Sequence, residues 1–450
     1  MVFSSFEFLF RFLPVFLIIY YITPNKFKNH ILFAGSIIFY TLGEAEYVLL
    51  LLVCTLINYL LGRWMDKNAT EVRGKREKAL LILALCYDFG ALFFFKYSGC
   101  TEHLPLGISF YTFQIAAYII DVYRKQVPAE KSLVRLGTYL TMFPQLVAGP
   151  IINYADVSAA LQERKVSLEE FEEGMKLLIL GLGAKVIIAD RIGILWNNIQ
   201  TIGFASISTP LAWIGAFAYS LELYFDFAGY SMMARGLGRM LGFEIPMNFN
   251  HPYISRSVSE FWRRWHITLG KWFREYVYIP LGGNRKGKLR TFLNLFVVWS
   301  LTALWHGADY NYLIWGAMLL LFLGIEKACL LPYLEKSKVI GHVYVLFVVP
   351  MSWVAFAVTD ISQLFVYFTR LFPFVTSNDV MVNAMDFVKY VQDYGILFFI
   401  GILFSTPLPQ KIYQKFEKKW LGNLTVLVVL GLSMYYLTIS TNNPFMYFNF

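Results

Sequence analysis

Apolar stretches of helical length, separated by short polar or glycine-rich breaks, run from one end of the chain to the other. They fall at 6–22, 29–43, 46–62, 79–96, 105–122, 136–152, 174–196, 208–229, 291–307, 311–331, 339–358, 391–406 and 422–440. A bilayer crossing takes about 20 predominantly apolar residues, so this pattern predicts a multi-pass helical bundle. The stretch at 6–22 is too long and too aromatic for a signal-peptide core, and no small-residue cleavage site follows it, so it reads as a retained first span. Residues 231–290 break the pattern. They are polar and rich in Gly, Pro, Arg and Trp, which predicts short helices lying in the headgroup plane.

Composition sets a ceiling on the count. Of 450 residues 57% are apolar and only 15% are charged, enough for about 12 crossings. Thirteen stretches exceed that slightly, so one or two are expected to be re-entrant or interfacial, leaving about 11–13 spans. The expected fold class is an all-α integral membrane bundle. No internal repeat or low-complexity linker divides the chain, and residues 1–450 read as one domain, with 441–450 as an aromatic tail. An ordinary soluble enzyme, a coiled coil and a disordered chain are all excluded. The four cysteines are scattered without a CxxC pair, and the three in or beside apolar stretches read as small buried hydrophobes.

The formal charge of +9 is a topology signal rather than a nucleic-acid footprint, because Lys and Arg collect in cytoplasmic loops. The 63–78 segment carries six Lys/Arg, and 124–135 carries Arg124, Lys125, Lys131 and Arg135. Placing both inside puts the N-terminus outside. Simple alternation then puts the basic 231–290 region outside as well. That conflict predicts an odd, re-entrant or broken element between 150 and 230. Gln145 in MFPQLVAGP, between Pro144 and Gly149–Pro150, also fits a broken helix.

Chemistry narrows to a few side chains. There is no phosphate loop, dinucleotide turn, HExxH or GxSxG elbow, and no metal site is read. Of six histidines, His30, His103 and His342 sit at span ends or in loops, and His251 opens a turn. His306 is different. It ends NLFVVWSLTALWHG, a single ionisable group on an apolar helix, and such groups usually face a cavity. His266 sits in WRRWH. Glu222 and Asp226 are four residues apart on one helix face, either lining a polar path or pairing with Arg235 or Arg239.

The segments PLGISFYTFQIAAYIIDVYR (105–124), MFPQLVAGPI (142–151), YFDFAGYSMMARGLGRMLGF (224–243), FNHPYISRSVSEFWRRWHITLGKWFREYVYIPLGGNR (249–285), LTALWHGADYNYLIWG (301–316) and FMYFNF (445–450) follow one another in order. Together they resemble the bacterial membrane-bound O-acyltransferases of the alginate O-acetylase type, and more distantly the teichoic acid D-alanyl transferases. The resemblance implies a ring of helices with short horizontal elements around a central tunnel. It matches the family's invariant histidine to His306, its upstream polar position to His266, and its aromatic C-terminal tyrosine to Tyr447. It also implies an extracytoplasmic SGNH-type acetyltransferase as partner.

The chemistry of O-acylation stands beside that resemblance. A hydroxyl attacking a thioester must lose its proton, and an imidazole kept neutral by apolar surroundings takes it near pH 7. His306 is the expected base. His266 is expected to orient the acceptor, stabilise the oxyanion or handle the leaving thiolate. Trp265, Trp305, Arg264, Asn284 and Asp226 are expected to line the donor path. Arg263, Arg264, Lys271 and Arg274 are available to donor phosphates or a carrier protein. The donor is acetyl-CoA or another acyl thioester, with no bound cofactor. The acceptor is a surface polysaccharide (exopolysaccharide or cell-wall polymer), and the location is the bacterial cytoplasmic membrane. Donor and acceptor lie on opposite sides, so Tyr447 is expected either to carry the acyl group as an ester or to serve as an interfacial aromatic anchor. Alternative functions are a D-alanyl transferase fed by a carrier-protein thioester, or a transporter or flippase. The missing inverted repeat and the paired histidines weigh against the latter.

Overall fold

The computed structural model describes residues 2–67, 74–100, 103–372, 374, 381–439 and 445. Helices account for most of it, and no strand occurs among the described residues. Among them, in chain order, are α1 (Leu13–Ile22), α2 (Lys28–Gly43), α3 (Val48–Asp66), α4 (Lys75–Tyr97), α5 (Ile108–Tyr123), α6 (Leu133–Thr141), α7 (Tyr154–Gln162), α8 (Leu168–Gly183), α9 (Asp190–Ile202), α10 (Thr209–Met240), α11 (Val258–Arg264), α12 (Ile267–Phe273), α13 (Lys288–His306), α14 (Tyr310–Ile325), α15 (Lys338–Ala357), α16 (Ile361–Leu371), α17 (Phe387–Phe404) and α18 (Trp420–Ile439). A π-helical stretch, Ala184–Ala189, joins α8 to α9.

Local sequence sets the helix starts. Ser167 accepts from the Glu170 N–H at 3.1 Å while Glu170 accepts from the Ser167 N–H at 2.8 Å, a capping box that opens α8. Ser208 caps α10, with Pro210 in its first turn, and Ser257 caps α11.

Six helical segments among the described residues are long and apolar enough to cross a bilayer: Ala45–Asp66, Lys75–Tyr97, Tyr310–Lys336, Lys338–Ala357, Phe387–Phe404 and Trp420–Ile439. The remaining expected stretches, beyond these six, are also helical or turn back. The 6–22 stretch is helical from Glu7 to Ile22, a π-helical turn running into α1, and the 105–122 stretch forms α5. Another forms α10, which is buried in protein along most of its 32 residues and carries Glu222 and Asp226. Residues 231–240 also belong to α10 rather than to the polar region that follows.

The parity conflict has a structural answer in the stretch expected at 136–152. It does not cross. Helix α6 ends at Thr141, one turn follows at Phe143–Leu146, and the chain returns in extended, buried backbone to α7. Both ends of this excursion meet one carboxylate. Glu130 accepts from Arg135 (Nη2, 2.8 Å) and from the Tyr154 hydroxyl. With this stretch turned back, the basic 124–135 and 256–290 segments lie together on one side. Direct contacts agree with that. Arg124 donates to the Glu275 carbonyl (3.4 Å), and Tyr276 donates to Asp121 (2.9 Å). The broken element therefore lies just upstream of the expected 150–230 window. The region bearing 63–67, 124–135, 154–173 and 256–290 is called the basic face below.

Helix α10 is the spine. It runs antiparallel to α8, and the two backbones touch through two glycine pairs. A Cβ on Gly174 would stand 2.7 Å from the Gly236 carbonyl, and one on Gly181 2.6 Å from the Gly229 carbonyl. Only glycine permits that approach.

Candidate active site

His266 occupies the turn between α11 and α12 with φ 44° and ψ 54°, the left-handed region that a non-glycine residue visits at a cost of order 1–3 kcal/mol. The strain is held by Asn248. The Asn248 carbonyl accepts from the Ile267 N–H (2.9 Å), and its side-chain Oδ1 accepts from the Thr268 N–H (3.2 Å) and Thr268 hydroxyl (3.0 Å). Thr268 Oγ1 in turn accepts from the Ile151 N–H at 3.0 Å, which ties this turn to the re-entrant segment.

That network fixes the imidazole's tautomer. A backbone N–H can only donate, so the Asn248 atom facing Thr268 must be the oxygen. The same oxygen lies 3.1 Å from His266 Nδ1. Nδ1 therefore carries the proton, and Nε2 carries the lone pair. The ring is buried, with Phe227 edge-on at 4.8 Å and Phe110 at 6.3 Å.

His306 ends α13, also buried. Its ring sits in an aromatic box: Trp305 at 4.6 Å, Trp315 and Phe356 each at 5.0 Å and nearly perpendicular, and Tyr312 at 6.2 Å. Asn311 donates to the Phe356 carbonyl at 2.9 Å and fastens the α14 end of the box to α15. The Trp305 ring, beside His306, lies 6.5 Å from the His266 ring. His266 and Lys96 are ionisable groups within electrostatic reach of His306.

The fold thus brings His266, at the start of α12, to Trp305 and His306, at the end of α13. The other expected site residues are placed as follows. Trp265 is buried in an aromatic wall with Phe261 (5.5 Å), Phe249 (5.0 Å) and Trp353 (4.9 Å). Arg264 pairs with Glu260 (2.9 Å) and lines a cavity of about 560 Å³. Residues 264, 265 and 266 therefore step from that cavity, through the aromatic wall, to the central pair. Asn284 is exposed in the turn before α13. Asp226 is buried and paired with Lys185 (2.7 Å), which also holds Asp190 (2.6 Å). Of the two arginines expected as partners, Arg239 pairs instead with Glu173 at 2.6 Å. Tyr447 lies outside the described residues. Phe445, in the same tail, is buried edge-on to Tyr230 at 4.4 Å, with Lys185 Nζ 5.1 Å from its ring centre. Lys271 leans toward Asp156 (3.8 Å).

Two residues of the site escaped the sequence reading. Asn248 sits in MNFN, where nothing local marks it as a histidine's partner. Lys96 ends the run ALFFFK and donates to the Trp305 carbonyl. A lone cation closing an apolar helix was a visible signal of the same kind that singled out His306.

The family profile of the membrane-bound O-acyltransferases matches residues 123–361, a stretch that holds both histidines and their supports. The chain is 35% identical to the probable alginate O-acetylase AlgI of Pseudomonas putida, over 100% of both chains. It belongs to the membrane-bound O-acyltransferase family. It is also 28% identical to the peptidoglycan O-acetyltransferase of Helicobacter pylori, over 100% of this chain and 98% of that one. Similarity to the teichoic acid D-alanyltransferase of Streptococcus thermophilus is 30% over 52% of this chain and 59% of that protein. As an O-acyltransferase of this family, it is a multi-pass membrane enzyme.

Proposed function

We propose that this O-acyltransferase takes an acetyl group from a cytoplasmic thioester and passes it through its centre, for O-acylation of a polysaccharide outside the bacterial cytoplasmic membrane. The observation that carries the reading is the buried pair His306 and His266, whose rings lie 4.6 and 6.5 Å from that of Trp305. His306 takes the proton of the attacking hydroxyl as the new C–O bond forms at the thioester carbonyl. The C–S bond breaks, and the thiolate leaves with that proton. His266, with Nδ1–H tied to Asn248, offers Nε2 as an acceptor to orient the hydroxyl. The basic face is cytoplasmic by its charge, and acetyl-CoA or an acylated carrier protein approaches there.

Tyr447 is the first acceptor in this reading. Its ester keeps transfer potential because a phenol, with an ordinary pKa of about 10, leaves more readily than an alkyl alcohol. The buried position of Phe445 supports a tail that enters the protein core. An extracytoplasmic SGNH-type partner completes transfer to the polymer.

The test uses the purified full chain with acetyl-labelled acetyl-CoA. Label should accumulate on the protein and be lost in His306→Ala and Tyr447→Phe. Label taken only from a D-alanyl-charged carrier protein would reassign the donor, and no labelling from either donor would overturn the relay.

A further inference from the structure

The cavity of about 560 Å³ lies on the far side of the Trp265 aromatic wall from the histidine pair. It lies on the basic face, between the segment preceding α11 and the start of α15, and Arg256, Arg263, Arg264, Lys338 and His342 line it together with Glu260 and Glu335. The Gly341 backbone sits directly on Arg256, since a Cβ there would stand 2.6 Å from the Arg256 Cβ. His342 Nδ1 lies 3.1 Å from the Ser255 carbonyl and so donates to it. Glu326 accepts from the N–H groups of Val258 (2.5 Å) and Ser259 (2.9 Å). The walls are therefore built, not incidental.

The charges inside are unbalanced. Glu260 is occupied by Arg264 through two nitrogens of its guanidinium, at 2.9 Å each. Among the described residues, Arg256, Arg263 and Lys338 make no ion pair. Against the four cations Arg256, Arg263, Arg264 and Lys338 stand two carboxylates, Glu260 and Glu335, so the concavity keeps an excess of positive charge that attracts a compact, multiply oxygenated anion. The rim then says which source supplies it. Val339, Ile340 and Val343 follow Lys338 on α15 and are 72%, 56% and 61% exposed, and Tyr333 beside them is 67% exposed. Apolar side chains this bare on a membrane protein face acyl chains, so the pocket opens where headgroups meet hydrocarbon.

We propose that this pocket binds the phosphate of an anionic phospholipid headgroup, with the lipid's chains lying along Val339, Ile340 and Val343. Arg263 and Arg264 end the helix that leads into Trp265 and His266. A bound headgroup would thus brace the strained turn from the membrane side.

Native mass spectrometry of the full chain tests this, with protein released from micelles doped with dioleoyl phosphatidylglycerol or with dioleoyl phosphatidylcholine. The wild type should retain phosphatidylglycerol and not phosphatidylcholine. Lys338→Gln alone, an exposed substitution, should lower that retention about fivefold, and Arg263→Gln with Lys338→Gln further. Lys288→Gln, exposed on the same face but outside the pocket, should leave it unchanged. Equal retention of the two lipids, or equal loss in Lys288→Gln, overturns the site. Displacement of phosphatidylglycerol by millimolar coenzyme A or inorganic phosphate overturns the lipid assignment and makes this a soluble-phosphate pocket.

Discussion

Replacing Asn248 by alanine removes one oxygen that serves three donors: His266 Nδ1–H at 3.1 Å, the Thr268 N–H at 3.2 Å and the Thr268 hydroxyl at 3.0 Å. The hydroxyl can rotate to another acceptor. The other two donors cannot move without unwinding the left-handed turn. Each buried donor left unpaired costs about 1–3 kcal/mol, so Asn248→Ala should lose about 2–6 kcal/mol of stability. It should also free the His266 ring to place its proton on Nε2. Loss of such an orienting partner typically costs 10–100-fold in function at histidine metal sites, and a drop of about that size in acetyl transfer is expected here, mainly in kcat. Asn248→Asp keeps the accepting oxygen in place. It should recover most of the lost melting temperature. The measurements are a fluorescence-detected thermal melt in detergent and label transfer from acetyl-CoA in membranes. A normal transfer rate in Asn248→Ala would refute the tautomer argument. An Asn248→Asp protein that melts as low as the alanine variant would refute the hydrogen-bond accounting.

His306→Ala should leave protein levels in membranes unchanged and lower acyl transfer by about 10²-fold or more; near-normal polymer acylation in cells carrying it would sink the base assignment. Tyr447→Phe keeps aromatic packing and deletes only the hydroxyl, so it should abolish transfer without loss of protein, whereas an anchor role predicts little change. Burial pushes the Glu130 carboxyl up, but hydrogen bonds from Tyr154, the Ser132 N–H and Arg135 outweigh it and hold it below its ordinary value of 4.5. Its contribution is therefore complete above about pH 4.5 and is lost as the pH falls through the depressed folded-state value; wild-type melting should drop across that window more than Glu130→Gln melting does. A single cysteine at Arg285, on the basic face, should react with an impermeant reagent only from the cytoplasmic side, and labelling from outside intact cells would reverse the orientation.

Much of the protein is legible locally. Apolar stretches of helical length show an all-helical membrane chain, because burying a long hydrocarbon surface is a property of composition along the segment itself. The capping serines Ser167, Ser208 and Ser257 announce α8, α10 and α11, because a cap needs only its own first turn. His306 stands out because a lone ionisable group on an apolar helix is costly wherever that helix lies. The ordered motifs likewise placed His266 in the central region.

Other features depend on which helices become neighbours, and hydropathy does not encode that. The 136–152 stretch is as apolar as a crossing, yet it turns back because Glu130 gathers both of its ends and protein covers its broken backbone. Asp226 takes Lys185 rather than an arginine on its own helix, since α8 and α10 approach closely enough at their glycines to set the lysine beside it. Asn248 and Lys96 become parts of the site only when distant segments fold onto the two histidines. Hydrophobicity and capping act within a segment, and so the sequence alone determines the elements. Hydrogen-bond and ion-pair partners across the bundle are selected by distance, which exists only once the tertiary structure has formed.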